Sequence, residues 1–178
     1  MPSRITKPAF NLRDKLTQLD GTVPYEKMPP GSTWLLNHTT SATRTNVSSN
    51  QTWTSLSGLS IDVTPRVVGS TLWVEHNFTM ELYQGINGLH FRVYRESPVG
   101  FVATQVYLHG QHSHWSTNIA NWSGPGTIYL TFMDEPNTPL GQVVRYYVQC
   151  YKESGSDLYS NYGQDESGIQ NTVWEIKK

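Results

Sequence analysis

The run Thr71 to Tyr83 alternates without a break: Leu72, Val74, His76, Phe78, Met80 and Leu82 on one side, Trp73, Glu75, Asn77, Thr79, Glu81 and Tyr83 on the other. A period of two is the signature of a strand with one face buried, and an unbroken run of this length leaves little room for a helix. Further strands are expected at Thr33 to Asn37, Gln51 to Leu56, Leu59 to Thr64, Leu89 to Arg95, Val102 to Leu108, Thr127 to Met133, Val143 to Tyr151 and Thr172 to Ile176. Turn-forming residues separate nearly all of them, at Pro65 to Ser70, Ser97 to Gly100, Asp134 to Gly141 and Ser154 to Asp157. Gln84 to Gly88, with its Asn87-Gly88 pair, reads as a hairpin joining the long strand to the next. About nine short strands at this spacing predict an all-β fold, a single antiparallel β-sandwich or jelly roll. The longest expected loops are His109 to Gly126 and Asp157 to Asn171, and loops are where a sandwich usually keeps its binding residues.

Residues 1–32 have another character. Five of the ten prolines (Pro2, Pro8, Pro24, Pro29, Pro30) lie there, which disfavours both helix and ladder. The expectation is an extended arm ahead of a sandwich domain at 33–178. Within the arm, Asn11 can cap a short helix that places Leu12, Leu16 and Leu19 on one face, with Gly21 to end it. So short a helix is marginal alone in water and needs a partner surface. Ile5, Phe10, Val23, Tyr25 and Met28 would anchor the arm with it, each contributing roughly 1.5–3 kcal/mol when fully buried, before the ordering entropy is subtracted.

Composition supports β-structure and narrows the partners. Aromatic residues reach 12% and charged residues only 15%, a balance that suits pleated surfaces and turns and not helical bundles. The formal net charge is −1 with Lys and Arg scattered, so nucleic acid is not an expected ligand. No apolar run approaches the roughly 20 residues needed to span a bilayer, and Met1 to Phe10 lacks a signal-peptide core, so no membrane and no Sec export are expected. Cys150, the single cysteine, falls in an alternating strand and should be a buried thiol.

The leader Leu12 to Ser32, closing on Met-Pro-Pro-Gly-Ser, resembles the start of small structural proteins of tailed bacteriophages, notably those of marine and cyanobacterial hosts. Gln51 to Arg66, which ends a strand in Thr-Pro, and the Ser70 to Val74 step after it are similar to the same group, as is Ser167 to Ile176. Residues 84–165 match it poorly. The resemblance implies a virion protein on the particle surface. It would be commonly trimeric and would contact the major capsid protein or tail proteins. A capsid decoration or cement protein, or a small tail-attached knob, fits the short chain; a tail-fibre or receptor-binding module that holds a host-surface glycan is the alternative.

Candidate chemistry is sparse. His109, His112 and His114 could donate imidazole nitrogens to a transition metal, but no carboxylate or Cys in the stretch completes a set. The plainer reading is a solvated loop, with no metal and no cofactor. His76 reads as a satisfied core or sheet-face residue and not as a ligand. Trp115 and Trp122, beside Asn118 and Asn121, offer flat faces and amides to a sugar ring or a partner, and the competing reading is a small cluster packed under the loop or at a subunit interface. No nucleophile elbow, phosphate loop or His-Glu-x-x-His motif is present, and Asp134-Glu135 and Asp165-Glu166 fall in turns. The expected protein is not an enzyme. Five Asn-x-Ser/Thr triplets, at Asn37, Asn46, Asn50, Asn77 and Asn121, are what a chain so rich in these residues produces by chance.

Overall fold

The computed structural model describes residues 27–82, 87–97, 100, 102–109, 124–161 and 168–178. The alternating run becomes strand β4 (Thr71–Leu82), preceded by β1 (Thr33–Ser41), β2 (Asn46–Val47) and β3 (Thr54–Val63). After it come β5 (Asn87–Glu96), β6 (Thr104–His109), β7 (Gly124–Asp134), β8 (Val144–Ser154), β9 (Leu158–Ser160) and β10 (Ile169–Ile176). Every pairing is antiparallel.

One sheet runs β1-β10-β4-β9-β2, with β7 also on β4. β7 takes one edge of β4 along its whole length, so β10 and β9 must share the other. Ile169 pairs with Phe78 and Ser160 with Met80, which sets β9 and β10 end to end along that edge. The second sheet runs β3-β8-β5-β6. The chain crosses between the two sheets at β2–β3, β3–β4, β4–β5, β6–β7, β7–β8 and β8–β9, and the result is a jelly-roll β-sandwich, the all-β class expected from the alternation.

Three local expectations change. Gln84 to Gly88 does not close a hairpin: β4 and β5 belong to different sheets, because β4 already has β7 on one edge and β10 on the other while β5 pairs with β8 and β6. The segments Gln51 to Leu56 and Leu59 to Thr64 merge into β3, whose register against β8 shifts between Ser55 and Ser60. Gly58 sits at that irregularity with φ +79°, a conformation open to glycine at little cost. The expected loop Asp157 to Asn171 contains β9 and the start of β10.

Alternation then builds the core. Leu72, Val74, Phe78 and Met80 of β4, Ile128 and Leu130 of β7, and Ile169 and Val173 of β10 face Leu56, Leu59, Ile61 and Val63 of β3, Leu89, Phe91 and Val93 of β5, and Val144, Tyr146, Val148 and Cys150 of β8. Phe78 and Phe91 meet edge to face at 5.4 Å across the sandwich. Two polar groups drawn inward by the same period find backbone partners. Glu175 Oε1 accepts from the backbone N–H groups of Arg66 (3.0 Å) and Val67 (3.2 Å), and the buried Lys152 Nζ donates to the carbonyl of Ser156 (2.8 Å).

The chain enters the sandwich beside its other end. Gly31 N donates to Lys177 O (2.8 Å), Lys177 N to Ser32 O (2.9 Å), and Lys177 Nζ to the carbonyl of Met28. Met28 is half-buried there. Ile5, Phe10, Leu12, Leu16, Leu19, Val23 and Tyr25, with the expected helix, lie outside the described residues.

Candidate binding face

The loop residues singled out above do not assemble into a described site. His109 closes β6 opposite Phe91, whereas His112, His114, Trp115, Asn118, Asn121 and Trp122 lie outside the described residues. Among the described residues no three His, Cys, Asp or Glu side chains come together as metal ligands.

The structure instead assembles a face from residues that the sequence scatters. Inward-pointing Val144, Tyr146, Val148 and Cys150 oblige Arg145, Tyr147, Gln149, Tyr151 and Glu153 to point out of β8. In β5 the same rule turns out His90, Arg92, Tyr94 and Glu96. Register then sets these side by side: His90 against Tyr151, Arg92 against Gln149, Tyr94 against Tyr147 and Glu96 against Arg145. β3 extends the rows with Ser55 beside Gln149, Ser60 beside Tyr147 and Asp62 beside Arg145.

Two aromatic groups result. Trp53 and Tyr151 lie 5.2 Å apart with His90 5.5 Å from Tyr151, and Tyr94 stacks on Tyr147 at 5.7 Å and 14°. Tyr147 and Tyr151 are four residues apart on one strand, about 13 Å at strand rise. Between them runs a polar row. The Arg92 guanidinium lies 3.9 Å from the Trp53 ring centroid and 4.7 Å from that of Tyr94, and Nε donates to Gln149 Oε1 at 2.8 Å. Gln149 Nε2 donates in turn to Ser55 Oγ at 3.1 Å. The side chains of this row therefore fix one another.

An ion pair closes one end and a histidine–carboxylate contact the other. Arg145 meets Asp62 through two parallel bonds (Nε to Oδ1 2.7 Å, Nη2 to Oδ2 2.9 Å), with Glu96 3.9 Å from its Nη1. At the far end His90 Nε2 is 3.6 Å from Glu153 Oε1. Desolvation, then the charge of Glu96, raises the Tyr147 phenol above its ordinary range, so it stays a neutral hydroxyl. Such a face can stack flat, weakly polar ligand rings and hydrogen-bond their edges.

Sequence reasoning passed over these residues because each strand shows only its own alternation. Tyr147, Gln149 and Tyr151 at every second position were a visible signal of an outward aromatic row; their neighbours on β5 and β3 were not visible.

No protein-family model and no curated protein sequence matches the chain. Among solved structures, that of the Gx strain of infectious bursal disease virus is similar with TM-score 0.38 at 13% identity, covering 88% of this chain and 46% of that one. The T13 viral particle of the same virus gives 0.37 at 13%, covering 84% and 36%. The CBM22-1 xylan-binding domain of Paenibacillus barcinonensis Xyn10C gives 0.31 at 15%, covering 85% and 99%. The chain spans less than half of either viral chain. Likeness at this level says nothing of what this chain binds, and the jelly roll itself serves capsid shells and lectins alike.

Proposed function

We propose that the chain is a non-enzymatic glycan-binding adhesion module, of the receptor-binding kind found on virion surfaces, whose ligand lies across the outer face of β3, β8, β5 and β6. One observation carries this reading: two aromatic groups, Trp53 with Tyr151 and Tyr94 with Tyr147, flank a fixed polar row of Arg92 and Gln149. Sugar rings present apolar C–H faces and hydroxyl edges, and this alternation of ring and amide meets both. A glycan array probed with the full chain, followed by calorimetry on the hits, tests it. Trp53→Ala and Tyr147→Ala should each weaken binding about ten-fold, roughly 1.4 kcal/mol, with unchanged thermal stability. Binding lost instead through Trp115→Ala or Trp122→Ala would move the site to the β6–β7 segment.

A second reading, a capsid decoration, cement or tail-attached protein assembling as trimers and anchored through residues 1–32 on the major capsid or tail proteins, draws support from the opposite face. There register aligns Leu35, Trp174, Trp73 and Met133 in one row across β1, β10, β4 and β7, with Leu35 45%, Trp73 37% and Met133 67% exposed. The adjoining row is held by internal bonds, Trp73 Nε1 to Thr131 Oγ1 (2.7 Å) and Tyr129 OH to Glu75 Oε1 (2.5 Å). Glu75 is the one formal charge facing out along these rows, so a second copy of this chain meets it without strong repulsion. Sedimentation of the full chain should show an oligomer that Trp73→Glu converts to monomer; a wild-type monomer at all concentrations would remove this reading.

A further inference from the structure

Resting on the glycan reading of the same face, we infer that its ligand is an acidic sugar whose carboxylate is taken by Arg92. The guanidinium carbon lies over the rings of Trp53 (3.9 Å to the centroid) and Tyr94 (4.7 Å), and Nε donates to Gln149 (2.8 Å). That leaves the edge carrying Nη1 and Nη2, for which no acceptor occurs among the described residues.

Charge separates Arg92 from its neighbours on the face. Arg145 is matched by Asp62 and Glu96, and Glu153 lies beside His90, whereas among the described residues no carboxylate stands within ion-pair distance of Arg92. Glu96 and Glu153 are each displaced from the Arg92 row by two outward positions, about 13 Å, beyond the screening length of physiological salt.

A half-buried arginine held by two rings and an amide has already surrendered much of the side-chain freedom that ligand binding would cost. Its remaining N–H pair matches the two oxygens of a planar carboxylate, and a charge-assisted pair of this kind is about twice as strong as a neutral one. Tyr147 on one side and Tyr151 on the other then offer aromatic surface to the ring that bears the carboxylate and to its neighbours. A neutral glycan would use the same rings but leave the guanidinium edge to water.

Calorimetry on the full chain with matched pairs decides the point: trigalacturonate against its methyl ester as the uronic-acid source, and 3′-sialyllactose against its methyl ester as the sialic-acid source. The carboxylated member of at least one pair should bind ten-fold or more tighter, and the preference should shrink between about 0.05 M and about 0.5 M salt. Arg92→Met should abolish the difference within each pair, so that the acidic and neutral members bind alike, whatever affinity the loss of the Arg92–Gln149 row costs both of them. Equal binding of acid and neutral members by the wild type, or an acid preference that survives in Arg92→Met, overturns this inference while the glycan reading stands. Absence of binding to any sugar of either charge removes both.

Discussion

His76 Nδ1 lies 2.7 Å from Asn171 Oδ1 across the β4–β10 pair, in the middle of the sandwich. The amide of Asn171 donates to Thr39 Oγ1 (3.1 Å) and to the carbonyl of Gly58 (2.9 Å), so its oxygen is the acceptor and the imidazole proton sits on Nδ1. His76 is therefore a neutral structural donor that ties β4, β10, β1 and β3 together, as its place on the inward side of the alternating run suggested.

This pair makes stability depend on pH. Burial, opposed in part by the Asn171 bond, lowers the His76 pKa from 6.5 to about 4. The unfolded chain therefore takes up a proton between pH 6.5 and pH 4 that the folded chain refuses, so stability falls as pH drops through that window and levels off below it. The expected contribution is roughly 3 kcal/mol over the whole interval. Urea titrations at intervals of pH should show this slope in the wild type and a shallower one in His76→Gln.

A second buried network predicts a larger effect at neutral pH. Asp134 accepts from Arg95 Nη1 (2.6 and 2.7 Å) and, through Oδ2, from Tyr146 OH (2.7 Å), which joins β7 to β5 and β8. Desolvation first, then the charge of Asp134, holds the Tyr146 phenol protonated far above its ordinary range. Asp134→Asn leaves a nearly buried guanidinium without its anion and should cost about 3–5 kcal/mol. Tyr146→Phe removes one bond to a charged acceptor and should cost about 1.5–3 kcal/mol. Equal losses in the two variants, measured by chemical denaturation, would refute the role of the ion pair.

Gly58→Ala should be among the more damaging small substitutions. The φ of +79° is strained for any side chain, and a Cβ would stand 2.5 Å from Ser41 Oγ and 2.9 Å from Ser41 Cβ. Strain and overpacking together suggest a loss of roughly 2–4 kcal/mol. Gly141→Ala, at φ +78° with open space around it, provides the comparison and should lose only the strain part.

Cys150 is fully buried, and desolvation, only partly offset by Lys152, raises its thiol well above the ordinary range. A disulfide reagent at pH 8 should leave it untouched in the native protein and label it only at the rate of unfolding. Fast labelling under native conditions would show that β8 opens locally.

Much of the architecture was legible from alternation, because which way a side chain points is a property of its own strand. Leu72 to Met80 and Val144 to Cys150 face the core as their spacing dictates, and Cys150 is buried for that reason. Less legible were features set by contacts between distant segments. Asn87-Gly88 carries a strong local turn signal, yet the edge of β4 that a hairpin partner would need is occupied by β7 or by β10. The two-residue β2 and three-residue β9 are too short to show a period and exist as strands only because each finds an edge.

The sequence by itself determined an all-β sandwich, its inward residues and its unpaired thiol, since a period of two and a count of cysteines need no knowledge of neighbours. Only the tertiary structure decided which outward residues share a row. Arg92 lies between Trp53 and Tyr94 and bonds Gln149 because β5 pairs with β8, and β8 with β3, at one particular register. A slip of one residue would send those side chains into the core, and register is set by packing the whole buried face at once, which no single strand encodes.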